Sequence, residues 1–269
     1  MGKKRMFETV WILFLILTVG VCCTGCGKKI VESQEKKSLV IGSDNYAPYN
    51  YLDKNGEFAG VDVELAREAC SRIGYEAEFV QIEWEHKDQE LADGTVDCLW
   101  GSFSMNDRED AYRWVGPYLY SRQMVAVRAD SAIWKLSDLK EKTIAVQVSS
   151  KPENLFLTGK DSRIPQVRNV FTFSNMNEIY SSLQDGYVDA IAGHESALQQ
   201  VVNEDPMSYR LLDESLFISE LGVAFSAQET SDVVGKLQEA LQEMYRDGTT
   251  RKIVEKYGLD AERALGTTY

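Results

Sequence analysis

One eleven-residue pattern occurs twice in this chain, 92 positions apart. Residues 91–101 read LADGTVDCLWG and residues 183–193 read LQDGYVDAIAG. Both fit L-x-D-G-x-V-D-x-x-x-G, with six positions identical. Each copy follows a stretch predicted as helix, residues 85–93 in the first and 176–185 in the second. Asp-Gly ends a helix with a residue that tolerates positive φ. Val-Asp then opens a short buried strand, and Gly closes it where the chain turns. A helix-to-strand unit repeated at this distance predicts two Rossmann-like α/β lobes built alike.

The rest of the chain alternates in the same way. Residues 39–43 (LVIGS) form an apolar strand. Residues 60–73 read as an amphipathic helix, with Val61, Leu65, Ala69 and Ile73 at helical spacing. Residues 77–81 are a strand. In the second half, residues 143–147 (TIAVQ) parallel the opening strand, and a strand at 168–172 precedes the helix that starts near 174. Short strands alternating with helices predict parallel sheets covered on both faces. Two runs stand apart, residues 122–128 (RQMVAVR) and 219–226 (SELGVAFS). Each follows a motif-bearing half, and both are predicted as strands crossing between the lobes. Two crossings make the first lobe discontinuous: residues 39–120 with 221–269, against 121–220 for the second. Helices over 231–247 and 250–257 end the chain.

Charge and motifs narrow the function. The formal charge is −13, which argues against nucleic acid, because a phosphate backbone is bound by clustered Lys and Arg. It also leaves the folded surface little attraction to anionic lipid. His86 and His194 are the only histidines, no His/Cys grouping has zinc-site spacing, and no metal is expected. GxGxxG, the P-loop and GxSxG are absent, which removes those routes to a nucleotide enzyme or an α/β-hydrolase.

The first 25 residues read as a signal peptide. Lys3, Lys4 and Arg5 precede the apolar run VWILFLILTVGV at residues 10–21. Twelve apolar residues are too few to span a bilayer, which needs about 20, and they fit a signal h-region. Thr24-Gly25-Cys26 follows and resembles the bacterial lipobox, in which the Cys is lipidated and becomes the first mature residue. Cys23 stands where Leu is usual. Cleavage there leaves 244 residues with formal charge −15, beginning with a polar tether over 26–38. A retained membrane anchor is the other reading of the apolar run, and it too puts the domain outside. In the body, Cys70 and Cys98 are free to pair outside the cytoplasm. Each sits in an apolar element, however, and reads as a small buried hydrophobe.

Over about residues 39–259 the chain resembles the amino-acid-type substrate-binding lipoproteins of ABC importers, bacterial extracellular solute-binding family 3. The carriers are LVIGSDNYAPYNYLDKNGEFAGVDVELAREACSRIG, Trp84 with LADGTVD, GSFSMNDRED, VGPYLYSRQMVAVRADS, LSDLKEKTIAVQ and RDGTTRKIVEKYG, in that order. The resemblance implies the type II periplasmic binding fold: two lobes, two hinge strands, and an amino acid in the cleft. It also implies no catalysis, no cofactor, a monomer, a membrane permease as partner, and lipid anchoring at Cys26 on the extracytoplasmic face. The alternatives are an enzyme on the same scaffold, a dehydratase or wall-cleaving relative, and a sensor for a separate receptor.

The resemblance also assigns candidate residues. Arg108, seven residues after Gly101, matches the family's carboxylate-binding Arg, and its planar fork suits bidentate binding. By sequence alone it reads as a solvated loop arginine paired with Glu109 or Asp110. Gly101 and Ser102 match positions whose backbone and small side chain line the cleft. Phe103 stands where the family often has a hydroxyl; Ser102 and Ser104 substitute for it, or Phe103 stacks on the ligand. Ser149 and Ser150 match a turn that faces the carboxylate from the second lobe; helix capping by Ser150, with Pro152 in the first turn, is the other reading. Lys151 replaces the family's Thr. His194 stands where the family places an ammonium-binding Asp, with Glu195 next to it as the other source of charge. Tyr46 matches an aromatic packed over the ligand, and Trp84 a pocket wall. Tyr49 and Tyr51 read as loop packing, and Trp100 as pocket or core.

Lipidation has a direct check. Cys26→Ser is expected to release the protein from the membrane fraction, since stable anchoring needs more than one acyl chain. Lipid-bearing, detergent-dependent protein persisting in that variant would refute it.

Overall fold

The computed structural model describes residues 37–268. The signal peptide, Cys26 and the tether up to residue 36 lie outside them. Lys37 and Ser38, placed in the tether by the sequence, belong to the first strand and pair with Tyr75 and Glu76.

In chain order the strands are β1 (Lys37–Ser43), β2 (Tyr51–Leu52), β3 (Phe58–Ala59), β4 (Tyr75–Gln81), β5 (Cys98–Leu99), β6 (Arg113–Arg128), β7 (Thr143–Gln147), β8 (Asn169–Phe173), β9 (Ala190–His194), β10 (Tyr209–Leu211) and β11 (Phe217–Phe225). The helices are α1 (Val61–Arg72), α2 (Lys87–Ala92), α3 (Lys151–Thr158), α4 (Met176–Gln184), α5 (Glu195–Glu204), α6 (Val233–Arg246), α7 (Thr249–Lys256) and α8 (Ala261–Ala264). None is long and apolar enough to cross a membrane among the described residues.

The main sheet runs β4-β1-β5-β11-β6-β9-β7-β8, with β10 on β6. Its two wings are parallel: β4, β1 and β5 on one side, β9, β7 and β8 on the other. Parallel wings suit strands fed by helical crossovers. Between them β6 and β11 run antiparallel, from Phe217 opposite Gln123 to Phe225 opposite Arg113. Residues 113–121 extend the predicted crossing strand, so β6 has 16 residues and reaches about 50 Å. The sequence pattern hid this extension, because Gly116 and Pro117 interrupt it.

The duplicated motif does the same work in each wing. Gly94 and Gly186 have φ of 72° and 75° and end α2 and α4. The following aspartates then clamp the first strand of their wing. Asp97 accepts from Val40 N at 2.7 Å, and its own N donates back to Val40 O at 2.8 Å. Asp189 accepts from Thr143 N and Oγ1, both at 2.8 Å, and its N donates to Thr143 O at 2.9 Å. This register turns the C-terminal ends of β5 and β9 towards each other across the middle of β6. Cys70 and Cys98 are both buried and unbridged, as expected of small apolar residues.

The aromatic loop after β1 is locked against α1 at Gly60, whose φ of 128° and ψ of 174° suit glycine alone. A Cβ there would lie 2.2 Å from Tyr49 O. Gly60→Ala is expected to lower stability by roughly 2–4 kcal/mol, from strain plus a backbone clash. Denaturant unfolding checks it, and an unshifted midpoint would show that the loop is not anchored there.

Candidate functional site

One cavity lies where the two wings meet, and all nine residues singled out from the sequence line it: Tyr46, Trp84, Gly101, Ser102, Phe103, Arg108, Ser149, Ser150 and His194. Ser104, Gln123, Gln147 and Lys151 join them. Its volume is about 30 Å³, room for one or two water molecules. Hydrogen bonds span it. Arg108 Nη2 donates to Ser149 O at 3.2 Å. Gln147 Nε2 donates to Asp44 Oδ2 at 2.5 Å. His194 N donates to Tyr46 Oη at 3.1 Å. Lys151 Nζ pairs with Asp107. The wings are closed on each other.

Arg108 follows the loop that leaves β5. Its Nη1 donates to Ser104 O at 3.2 Å. Its guanidinium lies 5.0 Å from the Phe103 ring centre, and Trp114 Nε1 fixes its carbonyl at 2.9 Å. Among the described residues no carboxylate is within ion-pair distance of it, so the solvated pairing with Glu109 or Asp110 is absent. Burial lowers its pKa from the usual arginine value, against the opposing pull of Tyr112, Asp88, Asp107 and Glu153. Phe103 packs edge-on to Trp84 at 5.0 Å and against Tyr112 and Trp114 at 5.3 and 5.1 Å. Lys87, invisible to the motif search, is buried with its Nζ 5.5 Å from the Trp84 ring and 5.8 Å from the Phe103 ring.

Strained backbone gathers here. Four non-glycine residues have positive φ among the described residues, and three are at the cleft: Ser102 at 46°, Asp107 at 55° and Ser149 at 57°. Each amide is held by a carboxylate. Ser102 N donates to Asp62 Oδ2 at 2.6 Å, Asp107 N to Glu109 Oε1 at 3.1 Å, and Ser149 N to Glu153 Oε2 at 2.8 Å. Such strain clusters at functional sites. Ser150 Oγ accepts from Glu153 N at 3.3 Å and caps α3. Beside Ser102, a Cβ on Gly101 would sit 2.9 Å from Ser43 Oγ, so close packing requires the glycine.

On the second wing His194 is buried among Tyr46 and Tyr49, with ring centres 5.4 and 5.3 Å away. Gln123 Nε2 lies 3.0 Å from its Nδ1 and 3.1 Å from its Nε2, and also donates to Ser219 Oγ at 3.1 Å. Burial pushes its pKa down to about 4, so it is neutral at pH 7. Glu195, the other candidate for that position, faces away: it binds Arg122 Nε at 2.8 Å and Arg263 Nη1 at 3.0 Å. Tyr49 Oη bonds Ser121 Oγ at 2.9 Å and Ser196 Oγ at 2.7 Å, and Trp100 is fully buried; both are packing residues. Gln123 and Gln147 were missed by motif reasoning. The available signal was a glutamine in each of two apolar strands, RQMVAVR and TIAVQ; Gln123 sits opposite His194 in register.

Two buried acids underlie the site. Burial pushes Asp44 up to about 6 and Asp62 up to about 7. Folded protein therefore holds their protons above the ordinary value of 3.8, and stability falls as pH rises from about 4 towards 7. His194 has the opposite sign: its folded pKa is below 6.5, so its contribution rises over pH 4–6.5. Asp62→Asn is expected to flatten the decline near pH 7, and His194→Gln to remove the opposing rise. Melting temperature against pH measures both. A parental profile in Asp62→Asn would mean that the carboxyl is ionised throughout.

Residues 39–260 match the bacterial extracellular solute-binding proteins, family 3. The chain is 28% identical over 260 residues to the arginine-binding extracellular protein ArtP of Bacillus subtilis, covering 92% of this chain and 97% of that protein. It is 28% identical over 235 residues to the histidine-binding periplasmic protein of Escherichia coli K12, covering 82% and 87%. The crystal structure of Tv2483 bound to L-arginine superposes with a TM-score of 0.78 at 25% identity, over 87% of this chain and 95% of that one. Shared sequence over nearly the whole body, and the same type II periplasmic binding fold, give one conclusion: the chain belongs to the bacterial extracellular solute-binding proteins, family 3.

Proposed function

We propose that this protein captures an amino acid or close analogue between two lobes, residues 39–120 with 221–269 and residues 121–220, and delivers it to an ABC importer. In this reading it is held on the outer face of the membrane by lipid at Cys26. The observation that carries the ligand site is Arg108. Its guanidinium packs on Phe103, its backbone carbonyl is held by Trp114 Nε1, and it uses two of its five N–H donors on carbonyls. It lacks a carboxylate partner among the described residues, and it lines the cavity with the eight other candidates. A free α-carboxylate supplies the missing counter-charge bidentately. The relatives' names, arginine-binding and histidine-binding, support an amino-acid ligand.

Hinge closure follows from the same contacts. A cavity of about 30 Å³ admits no amino acid until its walls part, and β6 with β11 are the strands about which they part. Ligand contacts on both lobes then favour the closed form through differential affinity. The reading is of a binder without catalysis: the cavity presents cationic Arg108 and a neutral His194, and the two buried acids beneath it, Asp62 and Asp44, are bonded to Ser102 N and Gln147 Nε2.

Arg108→Ala is expected to weaken binding by about 2–5 kcal/mol, the range for breaking a desolvated charge pair. Arg108→Lys should restore little, because the fork geometry is lost. Calorimetry with the amino acid found by a thermal-shift screen measures both. Near-native affinity in the alanine variant would overturn the assignment.

A further inference from the structure

The charges lining the cavity are of one sign. Arg108 and Lys151 line it, and no carboxylate does among the described residues. Asp44 is the buried carboxylate bonded to a lining residue; its Oδ2 is taken by Gln147 and it stays out of the wall. Glu153 is occupied by Ser149 N, and Glu195 is held by two arginines on another face. His194 is neutral at pH 7. Lys87 adds a third cation behind Trp84 and Phe103, where it pairs with Asp88 at 3.8 Å.

Lys151 is the informative one. Its side chain is 10% exposed, whereas that of its partner Asp107 is 83% exposed. The Lys151 side chain is thus largely buried beside the cavity, while the carboxylate that pairs with it stands in water on the opposite wing. A buried cation needs a close counter-charge, and a partner in solvent is readily exchanged for one inside. Beside the two cations the wall holds an unsatisfied acceptor, Gln123 Oε1, buried and without a hydrogen-bond donor.

Resting on the amino-acid-binding reading above, we infer that the solute of this cleft is a small dicarboxylate, one carboxylate held by Arg108 and the second by Lys151. The class has two members. An acidic amino acid adds an ammonium that Gln123 Oε1 accepts. A dicarboxylic acid without nitrogen leaves that oxygen unpaired. Cationic side chains are disfavoured, because they add positive charge beside two cations in a poorly hydrated space. Lys151 is accordingly the specificity-determining residue, acting through direct contact with the second carboxylate.

The test is a thermal-shift and calorimetric panel on the full-length protein: L-aspartate, L-glutamate and succinate against L-glutamine, L-histidine and L-arginine. The expected result is that the dicarboxylates bind and that Lys151→Gln weakens them by about tenfold or more. Tighter binding of aspartate and glutamate than of succinate identifies the acidic amino acid; the reverse identifies the nitrogen-free acid. Binding of histidine, arginine or glutamine with none of the dicarboxylates overturns this inference and leaves the amino-acid reading standing. Dicarboxylate binding that Lys151→Gln does not weaken overturns the assignment to Lys151. A panel in which no compound binds overturns both readings.

Discussion

Asp97 and Asp189 carry the architecture. Each reaches from the start of a short strand to the first strand of its wing, Val40 in β1 and Thr143 in β7, and completes the pair with its own backbone N–H. The effect is positional. Once the aspartate is fixed, the strand after it points its C-terminal end in one direction, and that end bears Gly101 in one wing and His194 in the other. Two wings built by the same rule and joined through the antiparallel β6 and β11 therefore face each other with their strand ends. Ligands in open α/β sheets bind outside the carboxyl ends of strands, and here two such ends close on one space.

What fills that space is polarity that the core rejects. The wing interiors are apolar, aliphatic and aromatic together, whereas the cavity wall gathers Arg108, Lys151, His194 and two glutamines. The protein holds this arrangement at a cost in backbone conformation. Ser102, Asp107 and Ser149 occupy the left-handed region, and in each case a carboxylate accepts the amide that this conformation turns outward. Asp62 does this from the first turn of α1 in a fully buried position, which is why its carboxyl holds a proton to about pH 7. Rigid supports of this kind preorganise a site before a solute arrives.

Closure is built from the same parts. Arg108, Tyr46 and Asp44 from the first wing meet Ser149, His194 and Gln147 from the second. On the far side of β6, Tyr49 joins Ser121 and Ser196, and Glu195 ties Arg122 to Arg263. Residues consecutive in sequence thus divide between two faces: His194 turns into the cavity and Glu195 out to the ion-pair network. The change from strand to helix after His194 separates them.

The sequence by itself determined the elements and their order. The duplicated motif, the strands LVIGS and TIAVQ and the amphipathic helix over 61–72 all rest on local rules, which are periodicity, Asp-Gly turns and strand composition. Arg108 and His194 were singled out through the family resemblance, which places each at a fixed offset from a glycine or valine of the duplicated motif. The tertiary structure alone decided three things. It made one sheet of the two wings, because strand pairing between β6 and β11 is nonlocal and β6 continues past Gly116 and Pro117. It put Gln123 and Gln147 in the wall, because a polar side chain in an apolar strand declares no partner until the facing strand is in register. It also separated His194 from Glu195, because the direction of a side chain depends on the backbone turn between strand and helix, and no spacing rule encodes that turn.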